Sequence, residues 1–367
     1  MRRVRLKEIG TFYSGLSGKS KSDFSEGNAL LVTYRNIFNN PVLNPAIKDT
    51  VVVGKNEKQN EVLWGDILIT GSSETPADAG MSSVVLFNPQ EKMYLNSFCF
   101  GFRLNDMNEA LPSYIGHLLR STSIRAAISK TAFGVTRFNV NRMRFADIEI
   151  PLPPLNIQKE IVSILDSFTS LIDKMKQEVE MRKKQMEYYL NILICKDNVA
   201  ARLFGDIGVV QRGKRVVRKE LALQGCIPVL QNSLTPLGYY QYSNIPANNT
   251  FIISAGTAGE IGFSAKPFWA ADDCLVISSV LCDSKYLYYY LKTQEQFLKS
   301  QIRGGAMKRL SRETIEKLEI PVPSLDKQRQ IASILDTFKT YISKLEKMIE
   351  LRQKQYEYYR EKLLTFE

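Results

Sequence analysis

The feature that most limits what this chain can fold into is a forty-residue stretch written twice, at 150–189 and 320–359. Equivalent positions lie 170 residues apart without a gap, and half of the forty are identical. Both copies open on prolines, as Ile150-Pro151-Leu152-Pro153-Pro154-Leu155 and Ile320-Pro321-Val322-Pro323-Ser324-Leu325. Gln158, Ile161 and Ser163-Ile164-Leu165-Asp166 return as Gln328, Ile331 and Ser333-Ile334-Leu335-Asp336, and both copies close on Glu-Tyr-Tyr. Register kept over that length marks an internal repeat, and a fold for this chain must use the unit twice.

The prolines impose an extended entry, because the residue before a proline is pushed out of the helical region. A long helix follows. Counting in sevens gives a seam of Leu165, Phe168, Ile172, Met175, Val179, Arg182, Met186 and Tyr189. The second copy gives Leu335, Phe338, Ile342, Leu345, Ile349, Arg352, Tyr356 and Tyr359. A 3–4 spacing held over four heptads is the pattern of a coiled coil rather than of a globular core helix. From 157 to about 194 the first helix runs on the order of 55 Å at ~1.5 Å per residue. Arg182 and Arg352 either snorkel to the seam edge or pair and fix the register. The simplest partner for each helix is the other, paired antiparallel with pseudo-twofold symmetry.

At 367 residues the chain has room for two domains with sizeable cores, and 44% hydrophobic and 24% charged residues are ordinary for a soluble protein. No apolar run approaches the ~18–20 residues of a membrane span, and the basic start at Arg2 and Arg3 runs into polar sequence, unlike a signal peptide. Five cysteines without a C-x-x-C pair, and one histidine, argue against a zinc site and for a reducing cytoplasm. The net charge is +11. Four excess positive charges fall in 1–155 and five in 196–325, while 156–195 is neutral and 326–367 carries two. The globular pieces, rather than the rods, are therefore the parts suited to a polyanion.

Those pieces form an α+β pattern. In 1–155, short strand-like runs fall at 30–34, 50–53, 66–70, 83–87 and 98–104, followed by a helix from Pro112 to about Ser129. Residues 196–325 replay the plan in different words, with a strand at 251–254 and a helix from Tyr286 where Tyr114 stood. The order is domain (1–155), rod (156–195), domain (196–325), rod (326–367). The rods match closely and the domains only in outline.

Catalytic motifs are thin. Gly18-Lys19-Ser20 suggests a P-loop, but Tyr13 stands where its first glycine belongs. The proline-rich entry lacks the Asn/Asp and aromatic of an amino-methyltransferase tetrapeptide. His117 reads as an ordinary helix residue, and the tyrosines at 286–290 read as packing. Candidates for DNA contact are basic or amide residues near glycines, where backbone can approach phosphate: Lys19, Lys21, Arg137, Asn139, Lys214, Arg215, Lys308 and Arg309. Arg35 with Asn36, and Gln231 with Asn232, sit at comparable places in the two halves and can read base edges.

The doubled Ile-Pro-x-Pro-x-Leu-x-x-Gln…Ile-Leu-Asp unit, each copy after a dissimilar domain, resembles the specificity subunit of type I restriction-modification enzymes across the whole chain. The resemblance implies two target recognition domains, each reading one half of a bipartite duplex DNA site, held apart by an antiparallel coiled coil. It implies no catalytic centre and no cofactor in this chain. S-adenosylmethionine, ATP and Mg²⁺ are expected in the partners, two modification (methyltransferase) subunits and the restriction subunits. A scaffold whose domains bind protein is the alternative reading.

Overall fold

The computed structural model describes residues 2–195, 199–302 and 309–366. The chain divides into two compact units, Met1–Lys174 with Met348–Glu367, and Met175–Lys347. Each long helix thus contributes one half to each unit. The first runs Leu155–Cys195 and the second Leu325–Leu364.

In the first unit, Gly10–Ser14, Cys99–Leu104, Ile67–Thr70 and Ser82–Val84 form a four-stranded antiparallel sheet in that order. Ile67, Leu68 and Ile69 are all buried, as an apolar run covered on both faces requires. A second sheet pairs Ala29–Val32 parallel with Met93–Leu95 and antiparallel with Thr50–Val51. A third joins Ala132–Phe133, Phe138–Val140 and Ser72–Ser73. Arg2–Arg5 pairs with Glu149–Leu152, so the chain's opening lies against the entry to the first long helix.

The second unit repeats this order. Gly208–Arg212, Cys274–Ser279, Asn249–Ile253 and Ile261–Ser264 form its four-stranded sheet. Ile227–Leu230 pairs parallel with Trp269–Ala270, and Ala201–Leu203 with Glu319–Pro321. The expected strands appear with shifted ends. Two expectations fail. The run at 30–34 ends at Val32 because Thr33 caps a short helix, Tyr34–Asn39, through the Asn36 amide. The helix from Pro112 breaks into Pro112–Leu119 and Thr122–Ser129, with Ser121 Oγ donating to the Leu118 carbonyl between them.

The repeated motif acts as a clasp. Gln158 is buried; its Oε1 accepts from the Leu111 amide (2.9 Å), and its Nε2 donates to the carbonyls of Glu109 (2.9 Å) and Pro153 (2.8 Å). Gln328 does the same with the Asp283 amide (2.7 Å) and the carbonyls of Leu281 (3.0 Å) and Pro323 (2.8 Å). Tyr114 donates to the Pro151 carbonyl and Tyr286 to that of Pro321, each at 3.0 Å. Proline keeps its carbonyl as an acceptor, and these donors use it. Each clasp fastens the start of a long helix to the domain before it.

The long helices pair antiparallel. In the first unit Phe168 stacks on Tyr359 (5.4 Å between centroids), Leu165 and Ile172 are buried, and Ile349 and Tyr356 are half-buried. In the second unit Phe338 stacks on Tyr189 (5.5 Å), with Met175, Val179, Leu335, Ile342 and Leu345 buried and Met186 half-buried. These two stacks are the same contact 170 positions apart. Arg182 pairs with Glu178 (2.8 Å) and bonds Gln185 on its own helix while its guanidinium lies 5.6 Å from the Tyr341 ring centroid of the other, and Arg352 bonds the exposed Gln355.

His117 is more than an ordinary helix residue. Its Nε2 lies 2.7 Å from Asp166 Oδ1, and its Nδ1 lies 3.2 Å from the Tyr356 hydroxyl. Both ring nitrogens thus have a hydrogen-bonding partner. Tyr289 holds the corresponding place in the second unit and donates to Asp336 at 2.7 Å, where Lys285 also pairs. Burial, then that carboxylate, push the Tyr289 phenol pKa upward. Glu361 accepts from the Thr122 amide (2.8 Å), placing a carboxylate at the start of Thr122–Ser129. The tyrosines Tyr286, Tyr289 and Tyr290 are buried, as packing residues.

Candidate nucleic-acid interface

The first unit carries an open cleft of about 620 Å³ where the strand Ser72–Ser73 meets the hairpin of Ala132–Phe133 and Phe138–Val140. Its walls include Tyr34, Phe38, Phe98, Asp78 and Arg137. Tyr34 stacks on Phe38 (5.7 Å, 18°), and burial raises the Tyr34 phenol pKa. The Arg137 guanidinium lies 5.0 Å from the Phe98 ring centroid, and its Nε donates to Ser72 Oγ at 3.1 Å. Asn139, exposed, sits opposite Ser72 in the strand register. Arg35 is exposed on the short helix beyond Thr33. Aromatic faces beside a fixed guanidinium form a surface that suits stacked or edge-on heterocycles.

The second unit presents different chemistry at the matching edge. Cys99 opposes Thr70 and Cys274 opposes Ile253, so Asp273 holds the place of Phe98. Arg309 Nη2 lies 3.3 Å from Asp273 Oδ1, and the Arg309 backbone forms an antiparallel bridge with Ala255. Gln231 donates to Asp272 (3.2 Å), and the Asn232 carbonyl accepts from the Thr257 amide (2.9 Å). Gly256 holds φ +81, and a Cβ there would lie 2.4 Å from the Asn232 carbonyl oxygen, so this approach requires glycine. The Lys214 carbonyl accepts from Trp269 Nε1 at 2.8 Å, leaving the Lys214 side chain exposed beside Arg215.

The sequence candidates therefore separate. Arg137 lines one cleft and Asn139 lies in the strand beside it, opposite Ser72, while Gln231, Asn232 and Arg309 gather at the matching edge of the other unit. Lys308 lies outside the described residues. Lys21 is exposed on a short 3-10 turn. Two candidates are occupied by the fold. The Lys19 side chain is 9% exposed and pairs with Glu57 at 2.6 Å. That hydrogen bond, with those from the Gly54 amide and Gln59, holds the Glu57 carboxyl at about 2. Asn36 spends its amide on the Asn44 carbonyl and its oxygen on Asn40 and the Asn44 amide, tying a local loop. The cleft aromatics Tyr34 and Phe98 went unselected in the sequence, because nothing local distinguishes them from core residues.

Among the described residues, no group of three or more His, Cys, Asp or Glu side chains is placed to hold a metal ion, and no helix is long and apolar enough to cross a membrane.

Comparison with known proteins agrees with this architecture. The family model described as type I restriction modification DNA specificity domain matches residues 1–181 and 197–353. A putative type I restriction enzyme specificity subunit of Haemophilus influenzae is 31% identical over 64% of this chain and 68% of its own length. The specificity subunit of the EcoR124I/EcoR124II type I enzyme of Escherichia coli is 30% identical over 60% of this chain and 63% of its own. The crystal structure of the type I restriction-modification S subunit of M. genitalium shares the fold, with a TM-score of 0.64 at 16% identity over 100% of this chain and 96% of that one. With two matched copies joined by paired long helices, the chain belongs to the type I restriction-modification DNA specificity family.

Proposed function

We propose that this chain is the non-catalytic specificity subunit of a type I restriction-modification system, and that each of its domains reads one half of a bipartite duplex site. The observation that carries this is the pairing of identical clasps with unlike edges. Gln158 and Gln328 hold their domains to the long helices by the same three bonds. The edges they present differ residue by residue. One holder with two readers is the design of a protein that recognises two different half-sites at a set distance. We take 1–155 and 196–325 as the target recognition domains, and 156–195 and 326–367 as the helices that set the spacing.

The expected partners are duplex DNA, two modification subunits and restriction subunits, in the cytoplasm. S-adenosylmethionine, ATP and Mg²⁺ belong to those partners. Ile164 and Leu171 with Tyr358 are exposed in the first unit, and Ile334 and Tyr341 with Tyr188 in the second. An exposed apolar set that recurs 170 positions on suits two copies of one docking partner.

The test is binding of the full chain to duplexes selected from a random library, across a salt series. A two-part motif should be enriched, with log affinity falling against log salt at about −0.9 per phosphate contacted. Enrichment of no motif, or salt-independent binding, would leave the protein-binding scaffold as the better reading.

A further inference from the structure

The hairpin of Ala132–Phe133 and Phe138–Val140 has an unusual tip. Val135 is 90% exposed and Phe133 57% exposed. An apolar, solvent-facing hairpin tip is costly unless something apolar covers it. Gly134 holds the turn at φ +136, and a Cβ there would lie 2.0 Å from the Arg137 carbonyl oxygen, so the tip is built on a glycine. Arg137, at its base, is oriented before any ligand arrives: Nε is engaged by Ser72 Oγ and the guanidinium plane lies by the Phe98 ring. Among the described residues no carboxylate lies within ion-pair distance of it. Its two terminal nitrogens therefore remain available as a fork.

The cleft's carboxylates favour a base contact over a phosphate contact. Glu74 and Asp78 line the same cleft, and carboxylates there disfavour a phosphate while they accept from exocyclic amino groups. The fixed, planar fork of Arg137 also matches the O6 and N7 acceptors of guanine. The turn 134–137 lies beyond the strand Ser72–Ser73, and a hairpin end of that width can enter the major groove, where a branched apolar tip meets a thymine methyl.

We infer that this hairpin is the base-reading element of the first unit, with Arg137 specifying a guanine of that half-site and Val135 lying in the groove beside it. The inference rests on the DNA-reading function proposed above. The experiment compares the full-length wild type with Arg137→Lys and Val135→Ser by selection from a random duplex library, followed by affinity for single-base variants of the enriched motif. Arg137→Lys keeps the charge and loses the fork. It should lower discrimination at one guanine about ten- to hundred-fold, leaving the other half-site unchanged. Val135→Ser, at a position with nothing to unpack, should relax a neighbouring position of the same half-site by a smaller factor.

If the wild type enriches a two-part motif and Arg137→Lys leaves both parts intact, this inference fails alone. Uniform weakening across all sequences makes Arg137 a phosphate contact and overturns it as well. A wild type that enriches nothing removes the DNA-reading function and this inference together.

Discussion

At the clasps, Gln158 and Gln328 make the same three hydrogen bonds, whereas at the edges Arg137 lies over Phe98 and Arg309 pairs with Asp273. The contrast separates what the fold needs from what a ligand would read. A buried amide that closes on three backbone groups tolerates no substitute, so the motif that carries it appears in both copies. The edge side chains carry no strand pairing, and each unit fills them with its own chemistry. The comparison can be broken in several places, and the strongest test acts on the helices.

Seven residues added to each long helix, one heptad in register, lengthen each by ~10 Å. The expected outcome is loss of affinity for the native site on the order of 10³-fold, down toward non-specific binding. Affinity should return on duplexes whose half-sites stand about three base pairs further apart. Affinity measurements on a set of spacer lengths check this, and retention of the native spacing removes the ruler. Exchange of a domain at Pro153 or Pro323 should replace one half-site and leave the other.

Next in size are Gln158→Leu and Gln328→Leu. Each change orphans one amide and two carbonyls around a buried position, which costs about 3–5 kcal/mol in unit stability. Denaturant unfolding with hydrogen exchange should show lost protection near Leu111 for the first and near Asp283 for the second, by similar amounts. Unequal losses would mean that the clasps are equivalent in geometry but not in energy.

How much of this could be read from the residues alone follows the same division. The long helices were legible because heptad spacing is local and the repeat supplied a second copy. That Gln158 matters was visible from its recurrence, but its three partners were not, since two lie 47 and 49 residues away. Arg137 stood out beside a glycine; Phe98 and Ser72, which orient it, are 39 and 65 positions earlier and look like strand residues. Lys19 and Asn36 have partners that the sequence does not show. Their polar partners, Glu57 at 38 residues and Asn44 at eight, satisfy them inside the fold. Chemistry assembled across a sheet leaves little trace in sequence, whereas chemistry along a helix leaves a period.

A smaller difference lies where the repeated aspartate meets its domain. Tyr289→Phe removes one hydrogen bond to Asp336, which Lys285 still neutralises, and should cost about 1 kcal/mol. His117→Phe removes both ring bonds, to Asp166 and to Tyr356 of the second long helix, and should cost more. Thermal unfolding of the two variants ranks them. A reversed order would show that the Tyr289 phenol, not the histidine, is the stronger tie.

The smallest effect concerns two lysines chosen on the same grounds, Lys19 and Lys214. Lys19 is occupied by Glu57, whose carboxyl it holds at about 2, below the ordinary 4.5. A depressed carboxylate contributes stability that is present above its unfolded value and lost as pH falls through the folded one. The wild type should therefore shed this contribution as pH drops from about 4.5 to 2, and Lys19→Met should lack most of that slope. Titration of the Glu57 carboxyl by NMR in both proteins checks the sign, and an unmoved Glu57 would deny the pairing. For DNA the order inverts. Lys214→Met, at an exposed side chain, should reduce the slope of log affinity against log salt by about 0.9, and Lys19→Met should leave it unchanged. An equal drop for both would mean that Glu57 releases Lys19 to a phosphate on binding, and that the first unit uses its glycine loop as its residue types suggest.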